Sequence, residues 1–237
     1  VKLSYIYKHA FFKHNISLIK FNLLELIMKK FLLLFTFLGL ASTTLIGCTK
    51  PAASESKTVS TSSTKTALFA GGCFWCIEAD FEKLNGVSSV VSGYSGGAAD
   101  TANYKQVSYT ETGHYEVVEV TYDPNTVSYS ELVEYFWKHI DPTDARGQFC
   151  DKGSSYLSAI FYANEQEKEI VEKSLQNLEK TKPFNEPIAT HIKAASPFYV
   201  GEEYHQDYYK KNPIRYNLYR SGCGRDKRLE QLWGEKK

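Results

Sequence analysis

From Ala67 onward the sequence switches repeatedly between the two-residue apolar alternation of a strand and the 3.6-residue period of a helix, without the regular spacing of repeated βαβ units. That pattern predicts an α+β fold, a two-layer sandwich with a mixed sheet. Ala67–Ala70 reads as a short strand running into Gly71-Gly72, and residues 73–84 then take a helical period that brings Cys73, Cys76, Ile77, Asp80 and Leu84 near one face. Further strands are predicted at 88–91, 115–122, 155–162 and 187–193. Helices are predicted from Ser128 and from Asn164, because Glu131 and Glu167 follow three residues later as in a capping box. From Gly201 the chain, with Tyr204, Tyr208, Tyr209, Pro213 and Gly222-Cys223-Gly224, reads as a long C-terminal tail wrapping the domain. A chain of 237 residues, 43% of them hydrophobic, can bury one sizeable core, so one catalytic-size domain over 67–237 and a monomer are expected.

The N-terminal part has a different logic. Met28-Lys29-Lys30, the apolar run Phe31–Leu40 and Leu45-Ile46-Gly47-Cys48 form a basic segment, an apolar segment and a small-residue cleavage site over 28–47. Leu45–Cys48 resembles the lipobox of bacterial lipoproteins, which implies cleavage before Cys48 and a lipid on its sulfur. The run is too short and too punctuated for a membrane-spanning helix. Residues 1–27 precede the single methionine, Met28, carry no targeting signal and are expected to be an untranslated upstream extension. Residues 48–66, rich in Ser, Thr, Ala and Lys, read as the lipidated cysteine and a flexible linker with a reach of roughly 20–25 Å. The expected location is therefore the cell envelope, on its extracytoplasmic or periplasmic face, with a lipid anchor in the membrane.

Lysine plus arginine (28) nearly balances aspartate plus glutamate (27), which removes the electrostatic footprint of a nucleic-acid binder. The five cysteines (Cys48, Cys73, Cys76, Cys150 and Cys223) are too sparse for a disulfide-stapled scaffold, so they point to redox chemistry or metal binding. Cys73-Phe74-Trp75-Cys76 sits where a strand gives way to a helix. Free backbone N–H groups and the helix dipole at that point predict a lowered thiol pKa and an attacking Cys73. A zinc site is the first alternative, but no second paired cluster exists and bulky Phe74-Trp75 would occupy the metal knuckle. A membrane-tethered thiol-disulfide oxidoreductase is the second, although the βαβ context of such motifs is not evident. On a strand through 115–121, Glu116 shares a face with Val118 and Val120 while Glu119 lies opposite, so Glu116 is the carboxyl predicted to be desolvated and to hold its proton near neutrality.

Gly72-Cys73-Phe74-Trp75, Ser92-Gly93-Tyr94-Ser95-Gly96-Gly97, Thr112-Gly113-His114-Tyr115-Glu116, Gly147-Gln148-Phe149-Cys150-Asp151, Ser155-Tyr156 and Tyr204-His205-Gln206 follow one another at a characteristic spacing. In order and spacing they resemble the peptide methionine sulfoxide reductase A family over residues 67 to about 234. The resemblance implies reduction of the S-epimer of methionine sulfoxide, in proteins or as the free amino acid, by a Cys73 thiolate that becomes a sulfenic acid. It implies Glu116 as the acid, with the Tyr104 and Tyr156 hydroxyls directed at the sulfoxide oxygen. Phe74 and Trp75 would cage the S-methyl group, and Asp151 and His205 would bind the substrate backbone.

No metal or organic cofactor is implied. The expected partners are oxidised methionine in envelope proteins and a thioredoxin-like external dithiol. Cys76 and Cys223 are both candidates to resolve the sulfenic acid. Cys76 is slightly favoured because it lies one helical turn from Cys73, with Cys223 then relaying to the reductant. Leu157 and Tyr115 depart from the usual pattern and touch only peripheral contacts. His114 and His191 receive no role.

Overall fold

The computed structural model describes residues 63–234. The expected extension 1–27, signal segment 28–47, Cys48 and most of the linker lie outside the described residues. The first strand, β1 (Lys65–Gly71), begins two residues before the boundary read at Ala67, because Lys65 already pairs with Tyr122.

The sheet has six strands in the order β7-β6-β1-β3-β2-β8, where β2 is Val87–Ser95, β3 Tyr115–Tyr122, β6 Ser158–Tyr162, β7 His191–Ala194 and β8 Phe198–Val200. All neighbours run antiparallel except β6 and β7, so the fold is α+β with a mixed sheet. The central strands β1 and β3 alternate their side chains between two apolar clusters. Phe69, Val118 and Val120 enter the main core with α1 (Phe74–Phe81), α3 (Tyr129–Trp137) and α4 (Glu165–Thr181), through Ile77, Phe81, Leu132, Phe136, Trp137 and Val171. Leu68, Ala70, Tyr115 and Val117 enter a smaller cluster with Ala159 and Phe161. Each fully buried side chain of this size is worth about 1.5–3 kcal/mol against about 0–1 kcal/mol for an exposed ion pair, so the helix-covered face dominates stability.

Helix starts follow local chemistry. Ser128 and Glu131 form a complete capping box at α3. At α4 the Asn164 side chain caps the Glu167 N–H, but the Glu167 carboxylate accepts from the Ala163 N–H instead of the Asn164 N–H. Several predicted elements change length, among them the strand read at 187–193, which is His191–Ala194. The helix read over 73–84 spans Phe74–Phe81, and the strand read at 88–91 runs on through Ser92-Gly93-Tyr94-Ser95. Residues 154–156 form a single 3-10 turn before β6 rather than part of that strand.

The segment after Gly201, read as a tail, is largely helical: α5 (Tyr208–Lys211), α6 (Pro213–Gly222) and α7 (Arg225–Trp233), with a further short helix α2 (Tyr104–Tyr109) before β3. These helices are fixed by charge as well as by apolar contact. Arg220 reaches buried Asp80 of α1 at 3.0 Å and Asp226 at 2.7 Å, and Arg225 donates to the His139 carbonyl at 2.7 Å. Leu229 and Leu232 of α7 are buried.

Candidate active site

Gly71 and Gly72 end β1, and Gly72 holds φ +79°, a left-handed turn that L residues adopt at a cost of about 1–2 kcal/mol. A Cβ there would stand 2.5 Å from the Gln148 side chain. Gln148 itself is locked by two bonds to the Asp141 backbone, donating to its carbonyl at 2.7 Å and accepting from its N–H at 2.8 Å. It lies in β4 (Gly147–Gln148), which pairs with β5 (Asp151–Lys152), so the tight turn seats that hairpin against the start of α1.

Cys73 is the residue that precedes the first helical position, and its carbonyl accepts from the Cys76 N–H at 3.1 Å. A cavity of about 260 Å³ opens on it, lined by Phe74, Trp75, Tyr104, Glu116, Asp151 and Tyr156, and also by Arg215 and Tyr219 from α6. Seven of the site residues named from the sequence are thus gathered around one space: Cys73, Phe74, Trp75, Tyr104, Glu116, Asp151 and Tyr156. The volume falls below the ~300–1,000 Å³ of clefts that hold drug-sized ligands and suits one side chain.

Glu116 projects from β3 on the face of Val118 and Val120, as its strand position predicts, and is buried. Burial drives its pKa up to about 8, opposed by the Phe74 N–H, which donates to Oε2 at 3.1 Å. A carboxyl in that state carries a transferable proton at neutral pH. Tyr104 and Tyr156 are likewise held above the ordinary phenol range, chiefly by burial, so they remain neutral donors.

The expectation of a lowered Cys73 pKa is corrected. Burial, then the contact with Cys76, push the Cys73 thiol well above its ordinary value, and the helix terminus does not offset the desolvation. Cys76 is lowered to about 7, first by the hydrogen bond from Cys73 and, against its own burial, by the charges of Arg225 and Arg220. Of the two thiols, Cys76 is the one whose surroundings favour the anion. The arginines that help hold it come from the C-terminal helices.

Trp75 lies flat on Tyr208 (3.7 Å between ring centres, planes 6° apart), and its indole N–H donates to Nδ1 of His205 at 3.0 Å. His205 is 2% exposed, packs on Phe74 and Tyr104, and is not among the residues lining the cavity. It supports the aromatic wall from behind, where the sequence reading had it binding substrate. Cys150 and Cys223 are joined in a disulfide, a pairing the sequence reading did not contain, while Cys73 and Cys76 are free thiols. Arg215 and Tyr219 were missed because α6 was read as tail. The signal available was the helical spacing of Tyr216 and Arg220, which share its buried face.

His114 bridges the Gly97 N–H (3.2 Å) and the Ala98 carbonyl (2.9 Å), and His191 bonds the Tyr115 hydroxyl at 2.8 Å; both are structural.

The family profile described as "Peptide methionine sulfoxide reductase" matches residues 65–237. The peptide methionine sulfoxide reductase MsrA of Bacillus licheniformis is 49% identical over 170 residues, 72% of this chain and 94% of that protein. The Bacillus subtilis MsrA is also 49% identical over 170 residues, 72% of this chain and 96% of its own length. Among solved structures, reduced Mxr1 from Saccharomyces cerevisiae superposes with a TM-score of 0.60 at 31% identity, covering 63% of this chain and 86% of that one. Methionine sulfoxide reductase A of Corynebacterium diphtheriae gives 0.55 at 32% identity, covering 64% and 76%.

Proposed function

This chain belongs to the peptide methionine sulfoxide reductase family and is an oxidoreductase that reduces methionine sulfoxide, and on that premise we propose how its residues divide the work. The observation that carries the reading is the convergence of a buried thiol, a protonated buried carboxyl and two phenols on one side-chain-sized cavity with an aromatic wall.

The S-methyl group of the substrate packs against Phe74 and Trp75, a contact aromatic rings favour for sulfur and methyl. The Cys73 sulfur attacks the sulfoxide sulfur while Glu116 supplies a proton to the departing oxygen, and Tyr104 and Tyr156 hold that oxygen by hydrogen bonds. Thiolate, sulfoxide and one proton yield methionine and a sulfenic acid on Cys73. The sulfur of the substrate gains the two electrons that the cysteine loses. The Cys76 thiol then displaces water to close a Cys73–Cys76 disulfide, supported by the contact those sulfurs already make. A thioredoxin-like dithiol returns both to thiols, with the more exposed Cys150–Cys223 pair as the place where it first exchanges. The substrate is the S-epimer, in peptides or free. The test is turnover of each separated epimer with dithiothreitol as reductant: consumption of the S-epimer alone is expected, and equal consumption of the R-epimer would remove the epimer assignment.

We further propose that Cys48 carries lipid and tethers the enzyme at the envelope, where it repairs oxidised methionine in neighbouring proteins. The Leu45–Cys48 pattern and the Ser/Thr-rich stretch after it support this. The full chain expressed in a bacterium should partition into detergent, and a chain begun at Ser63 should stay aqueous with full activity. An unmodified Cys48 by mass spectrometry would contradict the anchor.

A further inference from the structure

Among the groups at the cavity with no part in the chemistry above is the hydroxyl of Tyr219. It comes from α6 and donates to Asp151 Oδ2 at 2.5 Å, and it lines the same cavity as Cys73, whose anion it favours. Its ring stands edge-on to Trp75, 5.7 Å between centres, so the hydroxyl is held on two sides. A phenol has one proton to give, and here a carboxylate and a sulfur compete for it.

The two segments that meet in this bond are stapled at the same place. Cys150 directly precedes Asp151, and the Cys223 N–H donates to the Tyr219 carbonyl at 2.9 Å, one helical turn on. The Cys150–Cys223 disulfide therefore joins the β4–β5 hairpin to the end of α6 where they deliver Asp151 and Tyr219, across 73 residues of sequence. Phe149, next to Cys150, and Arg225, two residues after Cys223, reinforce the join with the guanidinium 4.4 Å from the ring centre.

We propose that Tyr219 is a further catalytic residue whose hydroxyl is presented to the Cys73 sulfur as a hydrogen-bond donor, and that the Cys150–Cys223 disulfide holds it there. The proposal rests on Cys73 being the attacking sulfur. As Cys73 gives up its proton, the hydroxyl turns from Asp151 to the new anion and stabilises it. It does so against Cys76 on α1, whose charge opposes a second anion nearby, while Glu116 on β3 is neutral as long as it keeps its proton. Asp151 on β5 adds negative charge, Tyr104 and Tyr156 are neutral, and exposed Arg215 on α6 is the cation at the mouth. Burial, ahead of its contacts with Cys73 and Asp151, keeps the Tyr219 phenol protonated throughout the working range.

The test uses the full chain carrying Cys76→Ser, so that Cys73 titrates alone, and reads single-turnover methionine release against pH. Tyr219→Phe should move the midpoint of the profile up by about one pH unit, slowing release about ten-fold at neutral pH. Above the midpoint it should run within about two-fold of the Cys76→Ser chain at the same pH, both being slowed as Glu116 ionises, because the thiolate then forms without help. Cys150→Ser with Cys223→Ser should shift the midpoint in the same direction by a smaller amount. A loss that is uniform across pH, with the midpoint unmoved in Tyr219→Phe, would show a packing role and overturn the assignment. A shift in Tyr219→Phe with none in the double serine variant would overturn the role of the disulfide. Failure of the underlying reading looks different: the Cys73→Ser protein would still release methionine.

Discussion

At Glu116 burial outweighs the one hydrogen bond that favours the anion, and the balance decides what the residue can do. Its carboxyl is pushed from an ordinary 4.5 up to about 8, so it is a proton donor at neutral pH. Glu116→Gln preserves shape and removes that proton. The expected loss of turnover is about two to four orders of magnitude, whereas Glu119→Gln, on the opposite strand face, should change turnover less than about two-fold. Steady-state rates of the two variants check this, and equal small effects would mean that the phenols supply the proton. Activity should also fall on the alkaline side of about pH 8 as the acid ionises. Stability carries the same sign. A carboxyl with a raised folded pKa contributes most below about 4.5 and loses that contribution as pH rises through about 8. The melting temperature should therefore decline over that window and decline less in Glu116→Gln.

The strand position of Glu116 was legible because alternation along a strand is a local property. The state of Cys73 was not, because desolvation comes from residues distant in sequence, among them the α6 that closes over it.

Among the elements, β3 was legible to the residue because β-branched and aromatic residues run from Tyr115 to Tyr122, interrupted only by Glu116 and Glu119. The end of β2 was lost because Ser92-Gly93-Tyr94-Ser95 lacks β-branched residues, and it is held instead by pairing on both edges, with β3 and β8. The C-terminal helices were lost for a related reason. α6 buries Tyr216 and Arg220 and α7 buries Arg225, and buried arginines paired with Asp80 do not register as an apolar stripe.

The turn at Gly72 links element to chemistry. Gly72→Ala would force a Cβ into Gln148 at a left-handed φ, costing about 1–3 kcal/mol and moving the start of α1. A melting temperature lower by several degrees and a fall in kcat of at least about ten-fold are expected, since a ~1 Å displacement of reacting groups costs on the order of 100-fold. Unchanged kcat in a destabilised protein would show that the turn serves folding alone.

At the scale of the molecule, a curled mixed sheet supplies Glu116, the helix after β1 supplies Cys73, Phe74 and Trp75, and the helical C-terminus closes the site with Tyr219 and the arginines that act on Cys76. The order of motifs in the sequence was enough to anticipate the first two contributions. The third depends on long-range closure, including a disulfide between Cys150 and Cys223 that neither cysteine's neighbours announce. That architecture explains why the chain has both a buried dithiol and an outer disulfide. In the proposed mechanism the inner pair meets methionine sulfoxide, and the outer pair lies nearer to solvent, where a protein reductant would reach it.

The most direct measurement of the central claim is a single turnover of the Cys76→Ser chain with one equivalent of S-methionine sulfoxide and no reductant, followed by a sulfenic-acid trap and peptide mass spectrometry. The account predicts about one methionine released per chain and the trap on Cys73. Methionine release at the same rate after a further Cys73→Ser change, or a trap found on another cysteine, would contradict it.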